Sequence, residues 1–339
     1  MRAEAWSVVM KLSRRQFLHL VAGAAALPVV SRGASAQQSN QAAPSQKGTR
    51  VITLGTKNGP FPVPGRAQSS NLLTVNNAQY VIDTGDGVTR RLARLQNNFR
   101  TIDNIFITHP HSDHISGLGA LMMAIYDSNR RNAVNIYGPP GTAASVKGLV
   151  DFLTVNAEIR ISDGTHSGQA NQLFKAHDAG VGVIFQDANV KVTAVENSHF
   201  HFPPGTPGYG KYKSYSYRFD TADRAVVFTG DTGPSNAVAD LAKGADLLVS
   251  EVTNPVEDYK AQLIKAGRWQ QMTPDEQAGT LRHHFEEHLL PEEVGKLATR
   301  ANVKTVVLTH LNDEYIPFAE QVKKHFSGQV LIAKDLMEF

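Results

Sequence analysis

Residues 105–117 read IFITHPHSDHISG, and the fold is decided there. A β-prone run ends at Thr108. His109, His111, Asp113 and His114 follow within six residues, and Gly117 leads into an apolar helical stretch at 116–126. Successive side chains of a regular strand point to opposite faces, so a loop between strand and helix is what can aim all four at one spot. Three imidazoles and a carboxylate suit a borderline divalent ion such as zinc. The chain has no cysteine, which excludes disulfides, thiolate metal sites and cysteine nucleophiles together. Any metal is therefore held by His, Asp or Glu.

Outward from this loop, β-prone runs recur at 51–56, 71–75, 80–83, 104–108, 134–137, 190–195, 213–219, 225–229, 246–250, 305–309 and 329–333. Helical stretches fall at 88–97, 116–126, 142–154, 235–243, 257–267, 274–284, 291–301 and 317–325. Pro274 and Pro291 stand at helix starts, where the missing N–H costs nothing. Thr273 and Glu276 are spaced as a capping box. Strands follow one another directly early in the chain and again in its middle, so a single βαβ series is excluded. An α+β arrangement of mixed sheets flanked by helices fits better. Residues 156–180 and 200–211 have little periodicity and read as an insertion or lid.

The N-terminus reads as an address. In 11–36, KLSRRQFLHLVAGAAALPVVSRGASA, a basic segment precedes an apolar run from Phe17 to Val30, and Ala34-Ser35-Ala36 offers a cleavage site. The apolar run is short of the roughly 20 residues a bilayer span needs. Ser13-Arg14-Arg15-Gln16-Phe17-Leu18 resembles a twin-arginine export signal. Met10 offers a second start. The expectation is a signal peptide at 1–36, a disordered lead-in at 37–48 rich in Gln, Ser and Ala, and one domain at 49–339. The export machinery is then a partner, the location is periplasmic or secreted, and the mature form has no stable membrane span. The chain holds 34 basic and 31 acidic residues; five basic and one acidic lie in 1–36, leaving 29 against 30. A near-neutral mature protein carries no global signature for nucleic acid.

HPHSDH resembles the His-x-His-x-Asp-His signature of the metallo-β-lactamase superfamily, and the rest of the chain from about residue 50 supplies matching pieces in order. The resemblance implies an αβ/βα sandwich of two mixed sheets flanked by helices, and two metal ions per chain, zinc first and iron or manganese as alternatives. Ile82-Asp83-Thr84-Gly85 resembles the early turn whose Asp is a buried support. By the same resemblance one ion takes His109, His111 and His199, the other takes Asp113, His114 and His310, and Asp231 touches both. Asp231 and His310 each follow a β-prone run, VVFTGD and VVLTH, as sheet-borne ligands should. His201 lies two residues beyond His199, on the same face of an extended chain, so both stay open as the third His ligand, with His199 favoured.

Two ions about 3.5–4 Å apart can share a water or hydroxide and polarise a substrate oxygen. Asp113 is placed to orient that nucleophile. The expected reaction is hydrolysis of an ester-type bond in a small molecule: an aryl sulfate, a phosphodiester or a lactone. The segment ADLLVSEVT, and then HLLPEEVGKLATRANVKTVVLTHL, resembles the back half of ribonuclease Z and of related arylsulfatases and phosphodiesterases. Glu251 and His288 stand where that group has an acidic segment and a His segment, which makes them a candidate proton-transfer pair. Here Ser250 replaces the first segment's His, and Leu289-Leu290 replace small polar residues of the second. No basic arm for gripping RNA is evident, since 156–180 carries only Arg160 and Lys175 as basic residues. A ribonuclease Z-like nuclease is therefore the alternative; a β-lactamase, an iron-using oxidase of the same fold, or a non-catalytic metal-binding protein are weaker readings. Phe200, Phe202 and Tyr209 read as rim residues for an apolar or aromatic group, and His283 and His284 as surface residues of a charged helix.

Overall fold

The structure is a computed structural model that describes residues 48–312 and 317–339. The expected signal peptide at 1–36 lies outside the described residues, as does the lead-in except Gly48. The first sheet is formed by β1 (Thr49–Gly55), β2 (Ser70–Val75), β3 (Ala78–Ile82), β4 (Ile102–Phe106), β5 (Val134–Gly138) and β6 (Phe174–Asp178). The second contains β7 (Gly182–Gln186), β8 (Val190–Glu196), β9 (Tyr215–Thr221), β10 (Ala225–Phe228), β11 (Leu247–Glu251), β12 (Thr305–Thr309) and β13 (Gln329–Ile332). A last strand, β14 (Met337–Glu338), returns to the first sheet beside β1. The orders are β14-β1-β2-β3-β4-β5-β6 and β13-β12-β11-β10-β9-β8-β7. Each sheet is half antiparallel and half parallel, with β3–β6 and β10–β13 as the parallel halves.

Side-chain alternation along the strands builds the layers. On β4, Phe106 points between the sheets and Ile105 toward the helices. The inner layer packs Val51, Leu73, Tyr80 and Phe106 against Val192, Tyr217, Phe219 and Phe228. Phe106 sits 5.2–6.0 Å, ring to ring, from Tyr137, Phe185, Tyr217 and Phe219; truncating such a ring to Ala costs about 3–5 kcal/mol. The outer face of the first sheet is covered by α1 (Val88–Arg94), α3 (Leu118–Asp127) and α4 (Thr142–Ser162), through Leu92, Leu121 and Leu153. The short α2 (Ser112–Ile115) precedes α3 and carries part of the site, and α5 (Ala170–Leu173) leads into β6. The outer face of the second sheet is covered by α6 (Asn236–Leu241), α9 (Pro291–Ala301) and α10 (Phe318–Lys323), through Val238, Val294 and Val322. Between α6 and α9, α7 (Val256–Lys265) and α8 (Pro274–Glu286) form a helical pair over the site. Both expected helix starts at Pro274 and Pro291 are present, and Thr273 and Glu276 form the full capping box. Two mixed sheets flanked by helices match the expected fold class.

One expectation is corrected. Residues 156–180 are neither insertion nor lid: α4 continues to Ser162, burying Val150, Leu153 and Ala157 at helical spacing, and β6 extends the first sheet. The stretch hid its pattern because its outward face is also apolar, with Phe152, Val155 and Ile159 exposed. β7 was equally illegible; as an edge strand it is mostly exposed and lacks a buried alternation. Residues 200–211, by contrast, hold no helix or strand.

Candidate metal centre

The metal-ligand candidates and Glu251 stand at the carboxyl ends of strands, along one edge of the sandwich, while His288 comes from the turn between α8 and α9. β4 delivers the loop His109–His114, β8 delivers His199, β10 Asp231, β11 Glu251 and β12 His310. The parallel register of β10, β11 and β12 sets the last three side by side, with Glu251 opposite Thr309. Turning the chain this sharply uses unusual backbone. Asp83 and His310 both adopt φ 58°, in the left-handed region that is strained for side chains bearing Cβ. Gly230 has the same φ, and a Cβ there would lie 2.9 Å from Thr108 and 3.0 Å from a carbonyl.

Two donor sets converge. His109 Nε2 and His199 Nε2 lie 3.2 and 3.0 Å from His111 Nδ1. Asp113, His114, Asp231 and His310 form the second set, with His310 Nε2 3.1 Å from Asp113 Oδ2 and 3.2 Å from Asp231 Oδ2, and His114 Nε2 3.3 Å from Asp231 Oδ1. Within each set one donor atom per residue lies within 4.8 Å of the others. Asp231 faces both, its Oδ2 also lying 3.8 Å from His109 Nε2. His199 is fully buried and grouped with His109 and His111, whereas His201 is exposed.

In His109, His114 and His199 the second ring nitrogen is held from behind, which fixes how those rings face. Asp83 accepts from His114 Nδ1 at 2.8 Å and from the Thr108 backbone N–H at 2.8 Å. Thr108 Oγ1 meets His109 Nδ1 at 3.1 Å, and His199 Nδ1 donates to the Glu287 carbonyl at 2.8 Å. Burial holds His109 and His199 well below the usual imidazole range, as it does His111 at about 4, so all three are neutral donors. Burial opposes charge on Asp113 and Asp231, but His114 and His310 outweigh it and hold both as carboxylates. His114 goes the other way: burial disfavours its cation, yet Asp231, Asp113 and Asp83 raise it. Among the described residues His114 Nε2 and Asp231 Oδ1 are buried with no hydrogen-bond partner, although they face each other across the second set. Orphaned atoms between the carboxylates and imidazoles of the second set, and three neutral imidazoles facing one another in the first, fit a borderline divalent ion at each set.

Beside Asp231 lies the Glu251–His288 pair. Glu251 is fully buried; its Oε1 accepts from the Thr232 backbone N–H at 2.6 Å and its Oε2 pairs with His288 Nδ1 at 2.7 Å. The Thr253 N–H donates to the Leu289 carbonyl, which ties the two segments together. Burial and the Asp231 charge raise Glu251 well above the usual carboxylate range, and burial pushes His288 down to about 4. The pair is therefore net neutral and carries one proton between Oε2 and Nδ1. His288 lines an open cleft of about 470 Å³ with His111, Asp113, Asp231 and His310.

Several wall residues were not anticipated. His284 is not the surface residue of a charged helix that was expected, and His283 is half-exposed at the cleft wall. His284 is buried, stacked on Tyr259 at 3.9 Å with its Nε2 on the Asn254 carbonyl, and His283 lines the cleft, paired with Glu287 at 2.6 Å. The charged residues around them masked the inward face of α8. Gly59 was also missed: a Cβ there would lie 2.5–2.7 Å from the Asp113 carboxyl group, so the loop after β1 lies flat on a site residue. Tyr209 is exposed, while Phe200 stacks on Phe202 and reaches 5.2 Å from the His111 ring.

A sandwich with buried His and Asp sets at its strand ends and an open cleft before them defines a metal-dependent hydrolase of the metallo-β-lactamase fold. Residues 79–311 match the family described as Beta-lactamase superfamily domain, and the chain belongs to that family. It is similar to ribonuclease Z of Haloarcula marismortui, at 27% identity over 321 residues, spanning 85% of this chain and 96% of that protein. In structure it is similar to the metallo-beta-lactamase fold protein YhfI from Bacillus subtilis, with TM-score 0.60 and 20% identity over 86% of this chain and 98% of that one. Zn(2+)-bound PqqB from Methylobacterium extorquens is also similar, with TM-score 0.58 and 15% identity over 86% of this chain and 99% of the other.

Proposed function

We propose that this chain is a two-metal phosphodiesterase, ribonuclease Z-like in chemistry, with His288 as the proton donor to the leaving oxygen. The Glu251–His288 pair carries the reading. An alkoxide is a poor leaving group and needs a proton as its bond breaks, and the pair holds one at the cleft wall. With the Glu251 carboxyl proton on the Oε2–Nδ1 contact, the ring's own proton is on Nε2; as it passes to the leaving oxygen, the Glu251 proton moves to Nδ1 and the carboxylate stabilises the ring. Similarity to ribonuclease Z over 85% of this chain and 96% of that protein supports a phosphodiester over the aryl sulfate and the lactone.

His109, His111 and His199 would hold one ion, and Asp113, His114 and His310 the other, with Asp231 shared; zinc is the first choice, as in the PqqB neighbour. When bound, two such ions supply positive charge to a phosphoryl oxygen and lower the pKa of a water toward neutrality. Asp113 accepts a hydrogen bond from the attacking water and so orients it. Asp83, Thr108 and the Glu287 carbonyl keep the imidazoles aimed. The test is metal content and turnover measured together, on residues 37–339, against an aryl phosphodiester, a diribonucleotide, an aryl sulfate, a lactone and a β-lactam. About two zinc ions per chain and preferred phosphodiester cleavage, both lost in Asp231→Ala, are expected. Preference for the sulfate or the lactone sinks the phosphodiester reading.

A further inference from the structure

Three hollows meet at the metal loop. The polar cleft borders on His111 and Ser112. A second hollow, about 340 Å³, shares His111 and is walled by Pro110, Ala144, Phe200, Phe202 and Tyr212. A third, about 410 Å³, shares Ser112 with the cleft and is walled by Ile107, Pro110, Ile115, Leu118, Val146 and Leu149. The second and third have Pro110 and Ser145 in common. Apart from His111, no ionisable carboxylate, amine or imidazole lines either one among the described residues. Their hydroxyls are partly spent: Ser145 Oγ donates to the Gly141 carbonyl at 3.0 Å and Thr142 Oγ1 to the Pro139 carbonyl at 2.8 Å. The polar cleft, by contrast, is lined by Asp113, Asp231, Arg268 and imidazoles.

Water in an apolar trough is readily displaced by hydrocarbon, and a pocket with few polar groups selects by apolar fit. The second hollow borders His111, a metal-ligand candidate, so a chain attached to a group at the His and Asp sets is within reach of it. Further along α4, Phe152 and Val155 are also exposed. We propose that the trough takes the alkyl tail of an amphiphilic phosphodiester whose phosphate lies at the His and Asp sets. This rests on the phosphodiester reading and names its substrate class.

The probe is a series of p-nitrophenyl alkyl phosphodiesters, methyl, butyl and octyl, given as monomers to the zinc-loaded protein. A rise in kcat/KM of up to about four-fold per buried methylene is expected. Two variants, Ser145→Trp to block the trough and Leu149→Glu to charge it, should bring the octyl-to-methyl ratio toward one. A flat series in the unmodified protein, or a steep one that both variants leave steep, overturns the proposal. Calorimetric binding of octylphosphonate against methylphosphonate separates the two readings. Tighter octyl binding that both variants abolish keeps the trough even if no phosphodiester is cleaved, whereas equal binding removes it. A dimer in solution that shields Leu149, with no chain-length effect, assigns the trough to a second copy and also overturns the proposal.

Discussion

Replacing His288 by Asn removes one ring nitrogen while an amide N–H can still reach Glu251. The choice matters because Glu251 Oε2 is buried and rests on His288 Nδ1 at 2.7 Å. Full truncation would leave that oxygen unpaired, at about 1–3 kcal/mol of stability, and mix folding with chemistry. With the amide in place, what is lost is Nε2, the proposed donor. General acid catalysis is worth about 10²–10⁴ in rate, or about 3–5 kcal/mol of barrier. That loss should fall on substrates whose leaving oxygen needs a proton. The assay is kcat/KM on a diribonucleotide, which expels an alkoxide, and on thymidine 5′-p-nitrophenyl phosphate, which expels a stable phenolate. His288→Asn is expected to lose about 10²-fold or more on the first and less than about ten-fold on the second. Equal losses on both would refute the donor role and leave His288 as a positioning residue for Glu251.

Because His199 is buried against His111 and His201 is exposed, His199→Ala should remove about one bound zinc per chain by elemental analysis, and His201→Ala none. Burial pushes His284 down to about 4. An imidazole depressed in the folded state supports folding fully above its unfolded pKa near 6.5, and that support is lost as pH falls toward 4. Denaturant titrations of metal-free protein at pH 7 and 4.5 should therefore show His284→Gln losing about 2 kcal/mol less stability on acidification than the parent; identical losses would reject the assignment. The twin-arginine proposal predicts that Arg14→Lys with Arg15→Lys keeps the protein in the cytoplasmic fraction of its host, at uncleaved mass.

The order of strands and helices was largely readable, because most strands are buried on a sheet face and carry dense runs of β-branched and aromatic residues. The metal loop was readable for a different reason: four donors within six residues need no tertiary information to be seen as a group. Asp231 and His310 are separated from the loop by more than a hundred residues, and resemblance carried them. What no local pattern conveys is the order of strands in the sheets. The parallel register of β10, β11 and β12 sets Asp231, Glu251 and His310 side by side. Only that arrangement shows Glu251 hydrogen-bonded to His288, His199 buried while His201 is not, and His283 and His284 facing the cleft from a helix whose sequence looks solvated. The sequence by itself determined which donors exist and which elements carry them, since those follow from residue type and short-range periodicity. The tertiary structure decided which donors face one another, because distance and burial depend on contacts between segments far apart in the chain.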